Sequence, residues 1–332
     1  MKKRSIVGSL IVAASMLLVT GTLQAKTYKI SHVRPQGAAI DTDLRWFADS
    51  IAEASDGKIK AKVYPASALG DYTIVQERVG LGAVDMACQP PSSAADKRFQ
   101  LVYFPYMMKN WEQARKNYSA DAPLRKVVAE LYEKQNIQLL AAWPVYFGGI
   151  AFNTDVKDYG NPEAAKGIKL RVPPMKTFQL LADTTGYLGT PIPFSDAFTA
   201  VQTGVVDGVI GSGAEGYYSS FRDVTKNYLP ANTHFEVWYL IMSKKKYDKL
   251  SPEGQEQIQD IANQFEDRRW EVAAKDQEAN EQRLADYGAT ILPISEEEID
   301  AIAQKVRTVV WPQIQEDVGA EWAQTVLNSI VE

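Results

Sequence analysis

At 332 residues, with 45% hydrophobic, 23% charged and 10% aromatic side chains, the chain has room for two ordinary domains and enough apolar surface for a core, which excludes a disordered or fibrous protein. Acidic side chains outnumber basic ones by 41 to 36, and the resulting net charge of −5 excludes a phosphate-neutralising surface and with it a nucleic-acid partner. A mean hydropathy of −0.25 excludes a polytopic membrane protein.

The first 25 residues read as an export address. Lys2, Lys3 and Arg4 precede an apolar run from Ile6 to Val19, and the small residue Ala25 closes the stretch. That charged, apolar and cleavable layout is a signal peptide over residues 1–25, and its apolar run falls short of the ~20 residues that span a bilayer. Lys-Lys-Arg-Ser is not a twin-arginine signal, so export of an unfolded chain into a periplasm, without a cofactor, is expected. Cys88 is the single cysteine, so it forms no internal disulfide, and its apolar neighbours read as a buried strand.

Tyr28 to Val33 predicts an opening strand, followed by a helix over about 41–55 with Leu44, Phe47, Ala48 and Ile51 on one face. Ile59, Ala61 and Val63 alternate with Lys58, Lys60 and Lys62, a strand with one wet face. A helix to about Val79 then feeds a strand at 83–88. The order βαβαβ predicts a mainly parallel sheet covered by helices. The pattern restarts after Trp143, with strands at 149–153, 169–172 and 205–210 and helices at 177–184 and 195–202. Val79-Gly-Leu-Gly-Ala-Val-Asp85 rhymes with Val201-Gln-Thr-Gly-Val-Val-Asp207, which reads either as chance or as a pair of similar α/β lobes. Beyond it, Ser251-Pro252-Glu253 caps a helix that runs to Gly288, long enough at ~54 Å to touch both lobes. Ser295-Glu-Glu-Glu298 is a capping box that starts another.

The two histidines, His32 and His234, stand in no metal-ligand spacing, and HExxH, CxxC, EF-hand and GxSxG motifs do not occur, so no metal or cofactor is expected. One enzyme-like motif does occur. Gly211-Ser-Gly213-Ala-Glu-Gly216 is a GxGxxG directly after a strand, with Glu236 about twenty residues on. It reads as a dinucleotide fingerprint, as a tight strand-to-helix turn, or as backbone N–H groups lining a pocket. The fingerprint belongs in the first βα turn of its domain, and this one falls late.

Gly167-Ile-Lys-Leu-Arg171-Val-Pro173-Pro174 is a strand with Ile168, Leu170 and Val172 facing one way and Lys169 and Arg171 the other. Some twenty residues later comes Pro191-Ile-Pro-Phe194-Ser-Asp-Ala-Phe-Thr-Ala-Val-Gln-Thr-Gly-Val-Val-Asp207-Gly208. This pair resembles the G-x-K-x-R-V-P and P-x-P-F/M…A-x-Q-x-G-x-V-D-G signatures of the solute-binding subunits of TRAP transporters, the tripartite ATP-independent periplasmic family. The resemblance extends over essentially the whole mature chain. It implies a two-lobed α/β periplasmic binding protein fold, with the ligand cleft between the lobes and a long helix spanning both. Lobe I is expected from residues 26–146 with 236–275, and lobe II from 147–235 with 276–332.

The family's conserved arginine maps onto Arg171, whose planar guanidinium can give a carboxylate two parallel N–H bonds, and its pocket phenylalanine maps onto Phe194. Dicarboxylate and sialic-acid binders of the family carry a second arginine where this chain reads Gly148-Gly-Ile-Ala-Phe-Asn153, and the asparagine usual after Asp-Gly is replaced by the Gly211 region. One carboxylate anchor favours a monocarboxylate with a hydroxyl, keto, amino or aromatic part, and Glu215 is placed to accept from such a group. His32, Tyr72 and Gln89 are expected as polar contacts from the first lobe, with Trp143, Tyr146 and Trp238 as aromatic walls. The expected partners are a small organic acid and the integral membrane TRAP subunits, the protein itself being a monomer. An exported oxidoreductase using the 211–216 turn and a sensor-linked binding protein are the rival readings.

Overall fold

In the computed structural model, residues 26–331 are described, and the export segment expected over 1–25 lies outside them. The first half follows the sequence pattern closely: β1 (Lys26–Ser31), α1 (Ala39–Ala54), β2 (Ile59–Tyr64), α2 (Tyr72–Gly80) and β3 (Met86–Gln89). Helix α1 buries Leu44, Phe47, Ala48 and Ile51, the stripe read from its spacing. The chain continues through a 3₁₀ stretch (Lys97–Tyr103), α3 (Trp111–Tyr118), α4 (Pro123–Glu133) and the long strand β4 (Ile137–Phe147). Of these, α4 carries Leu124, Val128, Leu131 and Tyr132 at helical spacing behind Pro123, a signal the sequence reading passed over, whereas β4 is a nearly unbroken apolar run that periodicity alone does not assign.

After β5 (Gly149–Phe152) come β6 (Lys169–Val172), α5 (Lys176–Thr184), β7 (Leu188–Pro191), α6 (Phe194–Gln202) and β8 (Gly208–Ser212). A short turn α7 (Ala214–Gly216) leads to a π-helical turn (Tyr217–Phe221) and to β9 (Asn227–Leu229) and β10 (Phe235–Ser243). The rest is α8 (Lys244–Tyr247), α9 (Pro252–Tyr287), β11 (Thr290–Ile291), α10 (Glu296–Val318) and α11 (Ala320–Leu327). Both predicted caps form: Ser251 Oγ accepts from Gly254 N, and Ser295 with Glu298 closes a complete capping box.

The strands build two sheets, ordered β2-β1-β3-β10-β4 and β11-β9-β5-β8-β6-β7. Both are mainly parallel, as the element order predicts, with one reversed strand in each. Strand β1 runs parallel to β2 and β3, but β10 enters antiparallel between β3 and β4 from far along the chain, and β5 is antiparallel to both of its neighbours. The rhyme is structural as well. Gly82 and Gly204 take the same left-handed turn, at φ of 77° and 73°. Asp85 then accepts the backbone N–H of Lys29 in β1, and Asp207 that of Lys169 in β6, each at 2.9 Å. The two halves use one connection twice.

Two strands cross between the sheets side by side: β4 passes into β5 through Gly148, and β9 passes into β10 through residues 230–234. They are bonded at the crossing, Gly148 N to His234 O and Thr233 N to Gly148 O, each at 2.8 Å. A Cβ on Gly148 would lie 2.2 Å from the His234 ring, so the crossings touch only because that residue has no side chain. Helix α9 is the third connection, 36 residues long, packed on β4 and α1 at one end and on α7 and β11 at the other.

Glu266 pins α9 to β4. Its carboxylate accepts from Ala142 N at 2.6 Å and from Trp270 Nε1 at 3.3 Å, and pairs with Arg125 Nη2 at 3.3 Å. All of these groups are buried, so Glu266→Ala would strand the Arg125 cation and a strand N–H. Urea unfolding should show a loss of about 3–5 kcal/mol. A loss under about 1 kcal/mol would mean that α9 is held by its apolar contacts alone.

Candidate functional site

The ends of the central strands of both sheets meet around a cavity of about 30 Å³, room for water but not for an organic acid, so a solute enters only as the walls part. Arg171 enters it from β6. Its neighbours Leu170 and Val172 are in the core, so strand alternation turns Arg171 to the other face, and Pro173-Pro174 ends the strand there. The side chain is 1% exposed and its Nε donates to the Ile192 carbonyl at 2.8 Å. Among the described residues no acceptor is bonded to its two Nη groups, and no carboxylate is paired with it. Burial pulls its pKa down, but a guanidinium starts so high that it stays charged.

A second guanidinium reaches the cavity from the other sheet. Arg34 follows the end of β1, and its Nε bonds Glu215 Oε2 at 3.0 Å, with both side chains buried. Its Nη2 lies 3.5 Å from the Tyr146 hydroxyl and 3.4 Å from Ser212 Oγ. Burial opposes the Arg34 charge, but Glu215 outweighs it and holds the group above its ordinary pKa. The Phe194 ring lies beside both cations, with Arg34 Cζ 4.8 Å and Arg171 Cζ 5.8 Å from its centroid, and Trp238 faces Arg34 at 5.0 Å.

Tyr72, Tyr103, Tyr146 and Phe178 complete an aromatic wall, interrupted by Glu236. That carboxylate is buried and already accepts two bonds, from Trp238 Nε1 at 2.6 Å and His234 Nε2 at 3.0 Å. The cavity therefore offers a guanidinium whose Nη pair has no protein partner, a carboxylate with a bond already on each oxygen and aromatic rings. Such a set can orient a small anion by its charged end and enclose the rest.

Of the residues expected from sequence, Arg171, Phe194, Tyr72, Tyr146 and Trp238 line the cavity. His32, Gln89 and Glu215 do not. Gln89 is buried behind the wall and donates to the Tyr72 carbonyl at 2.9 Å. His32 faces away, its Nε2 3.2 Å from Asp41 Oδ1. Glu215 is spent on Arg34 instead of facing the cavity. Trp143 packs at a tilt against Trp238, ring centroids 5.6 Å apart, and donates to Asp43. Sequence reasoning missed Arg34, Tyr103 and Phe178, and it noticed Glu236 only as a partner for a dinucleotide. Arg34 had a usable signal: it follows the C-terminal end of a central strand, where open α/β sheets place their ligands.

The glycines of the 211–216 turn are explained by crowding. A Cβ on Gly213 would meet the Tyr146 ring at 2.5 Å, one on Gly216 would lie 2.4 Å from Arg34 Nη2, and one on Gly211 would lie 2.4 Å from Pro173. They admit the walls of the cavity, and the turn that follows is too short to act as a phosphate-binding helix start.

A family model described as bacterial extracellular solute-binding protein, family 7, matches residues 30–317. The sialic acid-binding periplasmic protein SiaP of Vibrio cholerae is 29% identical over 77% of this chain and 78% of its own. The C4-dicarboxylate-binding periplasmic protein DctP of Rhodobacter capsulatus is 25% identical over the full length of both. Among solved structures, the sugar acid binding protein DctPAm of Advenella mimigardefordensis, in complex with galactonate, superposes with a TM-score of 0.85 at 21% identity, covering 92% of this chain and 98% of that one. A TRAP periplasmic solute-binding protein of Ralstonia eutropha with bound (S)-2-acetolactate gives a TM-score of 0.83 at 19% identity, with the same coverage.

The packing of His32 makes stability depend on pH. Burial, its largest influence, holds the imidazole below its ordinary pKa, against the pull of Asp41. The unfolded chain therefore takes up the proton first, and stability present at neutral pH declines as the pH falls below about 6.5. Denaturant midpoints measured from pH 8 to 5 should show that decline, and His32→Gln should flatten it. An equal slope in both proteins would move its origin elsewhere.

Proposed function

The chain belongs to family 7 of the bacterial extracellular solute-binding proteins, as a solute-binding subunit of a TRAP transporter, and on that premise we propose that its ligand is a small organic acid held by Arg171 in the cavity between the sheets. One observation carries this reading: a guanidinium 1% exposed, with its Nη groups turned to an enclosed space and no protein carboxylate against it. A buried charge of that kind is costly unless a partner arrives, and a carboxylate matches it in charge and in planar geometry. The acids named for its relatives, sialic acid, C4-dicarboxylates, galactonate and acetolactate, are in keeping with such an anchor.

The walls come from both halves, Tyr72 of α2 and Trp238 of β10 from one, Arg171 of β6 and Phe194 of α6 from the other, so the ligand's contacts are complete only when the halves are together. Binding then shifts an open–closed equilibrium by the difference in affinity between its two states. We take residues 26–146 with 236–275 as one lobe and 147–235 with 276–332 as the other, with a cleaved export segment at 1–25. The protein works as a monomer and passes its acid to the membrane subunits when closed.

Arg171→Ala should weaken binding of the acid at least ~100-fold by calorimetry, a loss of about 2.7 kcal/mol, while thermal unfolding without ligand stays cooperative. Unchanged affinity would move the site away from Arg171. An acid added at about 100 times its dissociation constant should raise the unfolding free energy by ~2.7 kcal/mol. A screen in which sugars or peptides stabilise the protein and organic acids do not would overturn the acid reading.

A further inference from the structure

We infer that Glu215 sets the charge of the ligand: by occupying Arg34 from within the protein it leaves Arg171 as the one cation for the solute, and so selects acids with a single carboxylate. The inference rests on the acid-binding reading of the cavity and adds to it a residue that determines specificity without touching the ligand.

Two guanidiniums reach the same space from opposite sheets, since Arg34 and Arg171 lie 4.8 and 5.8 Å from the centroid of one ring, that of Phe194. With both unpaired, such a pair would suit a solute with a carboxylate at each end. They are not equivalent. Arg34 is bonded through Nε to Glu215 at 3.0 Å, whereas the bonded partner of Arg171 is a neutral carbonyl. The commitment of Glu215 is undivided: Oε2 is its bonded atom, while Oε1 is buried with no hydrogen-bond partner. The carboxylate is thus held in place by Arg34 and has no second cation to serve.

Glu236 acts in the same sense. Both of its oxygens already accept, from Trp238 and His234, so it puts negative charge in the cavity wall with no cation spare to cancel another. A second ligand carboxylate near it would meet like charge in a water-poor space, where repulsion is poorly screened. A single carboxylate on Arg171 meets none of this. Glu215 does to the second arginine what a diacid would do, and does it permanently.

The test compares acids that differ only in whether one terminal methyl is replaced by a carboxylate: butyrate with succinate, 2-hydroxybutyrate with malate, and 4-methylbenzoate with terephthalate. Calorimetry and thermal shift on the full mature protein should give the monoacid of the best-bound pair at least a tenfold lower dissociation constant than its diacid. Glu215→Gln, which keeps shape and removes charge, should narrow that ratio at least tenfold by freeing Arg34. In the double variant Arg34→Gln with Glu215→Gln no cation is freed, and the preference for one carboxylate should return.

Wild-type preference for the diacid would overturn the inference. So would a folded Glu215→Gln variant that still binds the monoacid but leaves the ratio where it was. Should the single variant not fold, the wild-type ratio and the double variant, which buries no unpaired charge, decide it: diacid preference in either rejects the selector. If no pair binds at all, the acid reading of the cavity fails and the selector with it, a pattern distinct from binding without selectivity.

Discussion

A guanidinium buried without a counter-ion is the constraint around which this molecule is arranged. Removing a charge from water costs several kcal/mol even after relaxation, so Arg171 must be held against a standing tendency to turn outward. Three features hold it. Strand alternation in β6 fixes the direction of the side chain, Pro173-Pro174 removes the slack beyond it, and the Ile192 carbonyl takes its Nε at 2.8 Å. What remains without a protein partner is the pair of Nη donors, whose planar geometry a carboxylate would match.

The rest of the architecture keeps that cation enclosed while letting a solute reach it. Two sheets of different topology face the cavity, and the contributions of the two halves are unlike: one supplies Arg171 and Phe194, the other most of the aromatic wall and Glu236. The Arg34–Glu215 pair spans the two halves, with both partners buried and Oε1 of Glu215 left over. Such a pair adds little net stability by itself, because desolvation offsets most of its attraction. What it does fix is geometry and charge, tying a residue of one half to a residue of the other and neutralising Arg34 from within the protein.

The sequence was most readable where local chemistry and final structure agree. Amphipathic spacing in α1, the Ser251 and Ser295 caps and the Lys/apolar alternation of β2 all describe local preferences that packing does not override. The rhyme around Asp85 and Asp207 was readable for a related reason: each Asp does one local task, accepting a strand N–H at 2.9 Å, and so needs the same residues around it. Long-range pairing was not legible. Nothing near residues 235–243 says that this segment enters antiparallel between two strands formed far earlier, as the one reversed strand of an otherwise parallel sheet. The site divided along the same line. Arg171 and Phe194 sit in a distinctive motif, whereas Arg34 matters through a partner 181 positions away. Glu215 was expected to face the ligand and instead bonds Arg34, because a carboxylate in a turn carries no sign of which cation will reach it.

The crossing at Gly148 limits how such a body can move. Both of its backbone groups are bonded to the neighbouring strip, and a ring sits where a side chain would go. Neither strip can slide or lengthen alone, so any parting of the halves that keeps these bonds would have to twist a two-ply ribbon, with α9 alongside as a splint. The axis of such a motion would be set by the backbone, whatever the jaws hold.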